Sequence, residues 1–395
     1  MTRKIGVLTT GRADYGICLP ILKAIQSSPN LTLQLLVTGM HVSPEFGLYE
    51  QAVSQDGFDI HERIEVLVSS DTPEGTAKSM GLAALGFAQA FSKSRPDVLV
   101  VVGDRFEVHA VVSAAVPFRI PIAHVHGGEI TEGAIDEIFR HSITKMSHIH
   151  FATTSVYAKR IAQMGEEPWR IFVTGAPGLD NLLTGKIPTQ KAIEEQFRID
   201  LNKPTLLATY HPVTRATQAV ENKLDFLFSA IKALGVQVVF TYPNADAGGR
   251  ELVLQVEAFQ KKYNNARLVI NASQDSYIGL MKYVTAMVGN SSSGIIEAPS
   301  FELPVVNIGN RQAGRLRAAN VIDVNYTEAE IFQGLQKAIS ENFQKQLKGL
   351  VNPYGTGHAG PKIGKILQEI DLDSRLINKR FVDYPNIETS GISRD

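Results

Sequence analysis

Cysteine is almost missing from this chain. Its 395 residues include one, Cys18. A disulfide framework and a cysteine-based zinc site within the chain are therefore excluded. Cys18 lies in the apolar run 17–21, where a thiol behaves as a small buried hydrophobe. An excess of either charge is missing too, with 39 Lys and Arg against 40 Asp and Glu. That balance excludes a general nucleic-acid binder and a binder of anionic membranes. It leaves room for a local basic site for a small anion. No stretch approaches the ~18 uninterrupted apolar residues of a membrane span. The opening Met-Thr-Arg-Lys runs straight into Ile5-Gly6-Val7-Leu8, too short an apolar run for a secretory signal core. The expectation is a cytoplasmic protein whose partners include neither nucleic acid nor membrane. Tandem repeats and low-complexity tracts are also absent.

What is present is a globular composition, with 44% hydrophobic and 20% charged residues. The length suits two domains of ordinary size. Short apolar runs rich in β-branched residues recur at 5–9, 33–37, 98–102, 120–125 and 171–174. Helical stretches fit between them at 20–26, 106–116, 136–146 and 156–164. The alternation restarts with strands at 206–209, 236–241, 268–270, 286–288 and 305–308. Helices fit there at 219–234, 249–262, 277–282 and 294–300, and a last one at 361–370. This predicts an α/β chain of two doubly wound, Rossmann-like domains. The polar stretch 184–204 marks the boundary. The expected division is 1–184, 185–370 and a polar tail, 371–395. Sheets of this kind bind ligands at the carboxyl ends of their strands, so two of them imply a cleft lined by those turns.

The unusual residues fall in such turns. Val288-Gly289-Asn290-Ser291-Ser292-Ser293-Gly294 runs from a strand into a helix. A helix start offers free N–H groups and positive potential, which suit a phosphate. One serine there would be only a cap. Three serines between two glycines favour an anion site. The Walker lysine is missing, so this is no nucleoside-triphosphate loop. Glu297 follows and could accept ribose hydroxyls. Gly103-Asp104-Arg105 ends another strand. Asp104 would act there as an acid-base group or sugar-hydroxyl acceptor, and Arg105 as a phosphate partner.

His124-Val125-His126-Gly127-Gly128-Glu129 ends a third strand, and alternation puts His124 and His126 on one face. With no third ligand at helical spacing, groups titrating near neutral pH fit better than a metal site. Asp136 and Arg140 follow, one helical turn apart. Thr10-Gly11-Arg12-Ala13-Asp14-Tyr15-Gly16 lacks the G-x-G-x-x-G spacing, which argues against a nicotinamide cofactor. Arg12 there could reach a phosphate, and Asp14 is either catalytic or a helix cap. Tyr210-His211-Pro212 and Tyr242-Pro243-Asn244-Ala245-Asp246 also follow strands.

At these residues the chain resembles the hydrolysing UDP-N-acetylglucosamine 2-epimerase family, over roughly 4–367. The carrying stretches are the Gly11 to Gly16 turn, Gly103 to Glu107, His124 to Glu129 and Ile135-Asp136-Glu137. They continue with Arg140 to Lys145, His211-Pro212, Asn244-Ala245-Asp246 and Gly289 to Gly294. The resemblance implies a GT-B-like pair of domains with UDP held by the second. His211, Ser291 and Ser292 would then contact the diphosphate, with Ser293 and Gly294 in the same turn. Glu297 would take the ribose, and Asn244 and Arg311 would lie near the nucleotide. Arg12, Asp14 and Arg105 would face the sugar and phosphates. Asp104, Glu129 and Asp136 would carry the chemistry, supported by His126, Arg140 and His211.

The family reaction removes the proton from the sugar carbon bearing the N-acetyl group as UDP departs. Water then adds to the resulting glycal with inverted configuration. From UDP-N-acetylglucosamine the products are UDP and N-acetylmannosamine, a precursor of sialic acid. No cofactor or metal is expected, and a homodimer or homotetramer is, with the stretch from Phe139 to His150 as one candidate face. One departure stands out: some relatives carry a catalytic glutamate where this chain has His126, leaving His126 or Glu129 for that role. Three alternatives remain: UDP-2,4-diacetamido-2,4,6-trideoxyglucose as substrate, for legionaminic acid; a GT-B glycosyltransferase; and a non-catalytic nucleotide-sugar sensor.

Overall fold

A computed structural model describes residues 2–43, 50–68, 72–131, 135–211, 223–241, 249–269 and 272–383. It leaves out the side chains at 12–13, 50–52, 223 and 249–250. The strands are β1 (Arg3–Thr9), β2 (Leu31–Thr38), β3 (Ile60–Ile64), β4 (Val98–Val102), β5 (Ile122–Val125), β6 (Ile149–Ala152) and β7 (Ile171–Val173). They continue as β8 (Thr205–Thr209), β9 (Gln237–Thr241), β10 (Ala266–Val269), β11 (Ala286–Gly289), β12 (Val305–Ile308) and β13 (Val321–Val324). The first seven form one sheet in the order β3-β2-β1-β4-β5-β6-β7. The other six form a second, β10-β9-β8-β11-β12-β13. The pairings along both sheets are parallel.

Parallel sheets covered by helices on both faces need apolar side chains on both faces. The sequence supplies them by simple alternation. Val98, Val100 and Val102 of β4 join Ile5 and Val7 in the core on one face. Leu99 and Val101 join Leu8 in the core on the other. In the second sheet Leu206, Ala208, Val238 and Val288 face one core, and Leu207, Val239 and Met287 the other. Each sheet is thus filled twice over by aliphatic side chains, each contributing about 1.5–3 kcal/mol on full burial.

Among the described residues the chain groups into two compact units. One is drawn from Met1–Gly128, Ile138–Gly175 and Gly360–Asp395, the other from Glu129–Glu137 and Ala176–Ala359. This differs from the contiguous division at 184/185, because the chain returns. Helix Ala359–Glu369 buries Ile363 and Leu367 with Ile21, Leu22 and Ile25 of helix Arg12–Gln26. Glycine makes the close packing possible: a Cβ on Gly360 would stand 2.5 Å from the Pro20 carbonyl oxygen.

The segment beyond is also docked on the first unit. Arg170 is fully buried and donates to the Leu376 carbonyl at 2.7 Å. Lys379 donates to the Ser147 carbonyl at 2.6 Å and to Glu166 at 2.9 Å. Glu166 also accepts from Lys145 at 2.6 Å and lies 3.1 Å from His150.

Three strands and several helices, of which Pro73–Lys93 is the longest and Glu328–Ala338 the next, lie outside the predicted set. β3 (Ile-His-Glu-Arg-Ile) is a polar edge strand, β13 (Val-Ile-Asp-Val) is a four-residue edge strand interrupted by Asp323, and β6 is four residues long and carries His150. Helix Pro73–Lys93 packs against helix Phe106–Ala115 through Ala83, Phe87 and Phe91, but its three interior glycines blur the helical period. Among the described residues no helix is long and apolar enough to cross a membrane.

Candidate active site

The strand orders locate the chemistry. Order reverses between β1 and β4 in the first sheet and between β8 and β11 in the second. At such a switch point the following turns splay to opposite faces and leave a crevice. The described candidate residues sit in the turns after those four strands and after β5 and β12, or on the helices that follow them.

At the first switch point, the Thr10 hydroxyl donates to the Asp14 carboxylate. Asp14 is half-buried, on the first turn of helix Arg12–Gln26. Burial pushes its carboxyl up to about 6, against Arg105 and the Thr10 bond, with Glu107 and Asp104 adding to the rise. Arg105 is also tied to Glu107. Its Nε and Nη2 each donate to that carboxylate at 3.1 Å. Glu107 is fully buried on the first turn of helix Phe106–Ala115.

The capping position falls on Arg105, and the Asp104 carboxylate is ion-paired with buried Arg140. Arg140 therefore holds Asp104, and its other arm donates to the His126 carbonyl at 3.2 Å.

The two histidines differ. β5 ends at Val125, and His126 takes φ +66, so strand alternation does not extend to it. His124 stays in the strand. Its Nε2 donates to the Gly103 carbonyl at 2.7 Å, and its Nδ1 lies 3.1 Å from the Thr144 hydroxyl. Burial pushes its pKa down to about 3, against the Gly103 bond. His124 is thus a neutral brace between two turns, and the expectation of near-neutral titration fails for it.

At the second switch point, Asn290 locks β8 to β11. Its side-chain oxygen accepts from the His211 N–H at 2.7 Å, and its amide donates to the His211 carbonyl at 2.8 Å. Its own carbonyl accepts from Arg311 at 3.0 Å and from Gln312 at 2.8 Å. His211 is therefore held by both of its backbone groups, and Arg311 beside it, in the layer of the serine turn.

The turn needs Gly289 at φ +137, where a Cβ would stand 1.9 Å from the Thr209 carbonyl oxygen. Gly294 packs on Val305. Ser291 Oγ accepts from the Ser293 N–H at 3.3 Å, and Ser292 precedes the short helix Ser293–Ile296 without a side-chain cap. Glu297 lies past that helix rather than on it, with a carboxylate oxygen 3.5 Å from where a Gly178 Cβ would be.

Glu129 and Asp136 group with this second unit. Buried Glu129 pairs with Arg315 at 3.4 Å. Asp136 opens helix Asp136–Met146, and its neighbour Glu137 accepts from the Thr131 N–H at 2.6 Å. The Arg12 side chain and all of Asn244 lie outside the described residues, as do Pro212 and the stretch 245–246. Among the described residues, no three His, Cys, Asp or Glu side chains group as a metal site.

Glu107, Asn290 and Arg315 carry roles that sequence reasoning left unassigned. The signal for Arg315 is its spacing from Arg311 on one loop.

A profile described as UDP-N-acetylglucosamine 2-epimerase matches residues 23–368. The chain is 37% identical over 384 residues to the Campylobacter jejuni GDP/UDP-N,N'-diacetylbacillosamine 2-epimerase (hydrolyzing), covering 96% of this chain and 99% of that one. It is 36% identical over 379 residues to the Legionella pneumophila UDP-N,N'-diacetylbacillosamine 2-epimerase (hydrolyzing), at the same coverage. Its fold matches that of the Neisseria meningitidis UDP-GlcNAc 2-epimerase bound to UDP-GlcNAc, with a TM-score of 0.80 at 20% identity over 92% of this chain and 99% of that one. Two Rossmann-like units, their switch-point turns and these relatives agree, and the chain belongs to the hydrolysing UDP-N-acetylglucosamine 2-epimerase family.

Proposed function

We propose that this enzyme converts a UDP-linked 2-acetamido sugar and water to UDP and the free sugar epimerised at the N-acetyl carbon. A base takes the proton from that carbon, and the electron pair forms the double bond of a glycal as the anomeric C–O bond breaks. The diphosphate leaves with the electrons of that bond. Water then adds across the double bond, hydroxyl to the anomeric carbon and proton to the N-acetyl carbon, from the opposite side.

Asp104, His126, Glu129 and Asp136 are the acid-base candidates, with Arg140 fixing Asp104. Arg12, Asp14 and Arg105 serve the sugar and phosphate from the first unit. His211, Ser291, Ser292, Ser293, Gly294 and Arg311 take the diphosphate, Glu297 the ribose, and Asn244 lies near the nucleotide. The leaving group is the hard part of this chemistry, and fixed donors aimed at developing charge are the largest catalytic term available. The observation that carries the reading is the Asn290 clamp on His211 beside the serine turn.

We take UDP-2,4-diacetamido-2,4,6-trideoxyglucose as the sugar nucleotide, supported by the relatives at 37% and 36% identity. UDP-N-acetylglucosamine, giving N-acetylmannosamine for sialic acid, is the second reading. A polysialic acid biosynthesis protein of Escherichia coli at 35% identity favours it. A cytoplasmic location and a homodimer or homotetramer belong to the same proposal.

The test is to incubate the protein with each sugar nucleotide alone in deuterated water and follow it by proton NMR. The expected result is free UDP and the 2-epimer carrying deuterium at the N-acetyl carbon. UDP release without deuterium incorporation would sink the elimination route. Turnover that requires an added acceptor would make the enzyme a glycosyltransferase.

A further inference from the structure

We propose that Glu107 is a positioning residue that fixes the Arg105 guanidinium for the phosphate of the sugar nucleotide. The inference rests on the reading of Arg105 as a phosphate partner and adds the group that aims it.

Glu107 lies on the first turn of helix Phe106–Ala115, and its side chain is fully buried. Arg105 stands just before that helix with its side chain 31% exposed. The two meet as a fork. Arg105 Nε donates to one carboxylate oxygen of Glu107 and Nη2 to the other, each at 3.1 Å. The carboxylate is itself held in place. A helix start carries positive potential that favours it. Its Oε1 lies beside Gly39, in the turn after β2, where a Cβ would stand 3.3 Å away. The Met40 N–H in turn donates to the Thr10 carbonyl at 2.8 Å. The fork thus rests on turns that follow β1, β2 and β4.

An arginine at the rim needs no such anchor for its own sake, because water solvates it. A buried carboxylate is costly to desolvate, and a buried ion pair is often no better for stability than apolar groups of the same volume. What the fork supplies is direction. A guanidinium is planar and rigid, so gripping its Nε–Nη2 edge fixes where its Nη1–Nη2 end points. A long side chain held in advance loses less freedom when the ligand arrives. Its charge also meets the leaving group without rearrangement. Glutamine has nearly the same shape as glutamate but offers one acceptor oxygen, so it cannot complete the fork.

The test is a double-mutant cycle on kcat/KM with each of the two sugar nucleotides, with urea midpoints measured alongside to establish that each variant is folded. Glu107→Gln should lower kcat/KM about 10- to 100-fold. Arg105→Met should lower it at least as far. Adding Glu107→Gln to Arg105→Met should lower it no further, because an absent guanidinium cannot be aimed. Arg105→Lys keeps a cation beside the carboxylate but cannot be held by a fork, and it takes the place of Arg105→Met in the cycle if that variant does not fold. Wild-type kcat/KM in Glu107→Gln, or a double variant that falls by the product of the two single losses, would overturn the inference and leave the reading of Arg105 standing. Wild-type kcat/KM in Arg105→Met would overturn that reading, and this inference with it. Wild-type protein that turns over neither sugar nucleotide would overturn both.

Discussion

Glu129 and Arg315 meet at 3.4 Å, with the carboxylate fully buried and the guanidinium nearly so. The pair joins a turn that follows β5 to a loop that follows β12, far apart in sequence. A buried carboxylate deprived of its cation is costly, about 3–5 kcal/mol where the pair is fully desolvated. Arg315→Met should therefore slow turnover and lower stability together. Glu129→Gln with Arg315→Met should be less damaging than the sum of the two single changes, by about 1–3 kcal/mol. A double-mutant cycle on kcat/KM and on urea unfolding measures this, and additive effects would deny the coupling.

Asn290→Ala removes two hydrogen bonds to the His211 backbone and leaves that backbone buried. The loss should be about 2–3 kcal/mol, from the unmade bonds and the stranded partners. UDP affinity should fall with it, because His211 and the serine turn lose their common anchor. Denaturant unfolding and calorimetry read the two effects. Stability lost with UDP affinity intact would separate the clamp from the ligand.

Asp14 gives a pH signature. Its folded-state carboxyl, at about 6, lies above the ordinary 3.8. A group raised on folding contributes stability that is full below the unfolded value and is lost as pH rises through the folded one. Wild type should therefore lose about 2 kcal/mol relative to Asp14→Asn between roughly pH 4 and pH 6, after allowance for partial exposure. Urea midpoints of both proteins across that window test it. Parallel curves would refute the shift.

Glu166 has the opposite sign. Its pKa is pulled down to about 2 by His150, Lys145 and Lys379, against the cost of burial. That contribution is present above the ordinary 4.5 and is lost as pH falls towards 2. Glu166→Gln should cost about 3 kcal/mol at neutral pH. It should also loosen the docked segment, seen as faster trypsin cleavage at Lys379 and Arg380. Unchanged cleavage would place the anchor at Arg170 alone.

The sheets were legible where strands are central. β4 reads as Val-Leu-Val-Val-Val because both of its faces are covered. β3 and β13 were not legible, since at the sheet edges His61, Glu62 and Arg63 in one and Asp323 in the other break the apolar run. The turns were legible as places and not as networks. Asp104 read as an acid-base group or sugar-hydroxyl acceptor, with no sign of its ion-pair partner Arg140. His124 looked like an acid-base group and is a neutral brace. In both cases the deciding neighbour lies on a helix 36 or 20 residues away, which no local pattern records.

The return of helix Ala359–Glu369 to the first unit has a consequence for synthesis. Ile363 and Leu367 are part of the first unit's core and emerge from the ribosome after the whole second sheet. The unit that is translated first is therefore completed last. Until then the surface of helix Arg12–Gln26 that receives Gly360 and Gly364 stays bare, and a chaperone or a sister chain has that interval in which to occupy it.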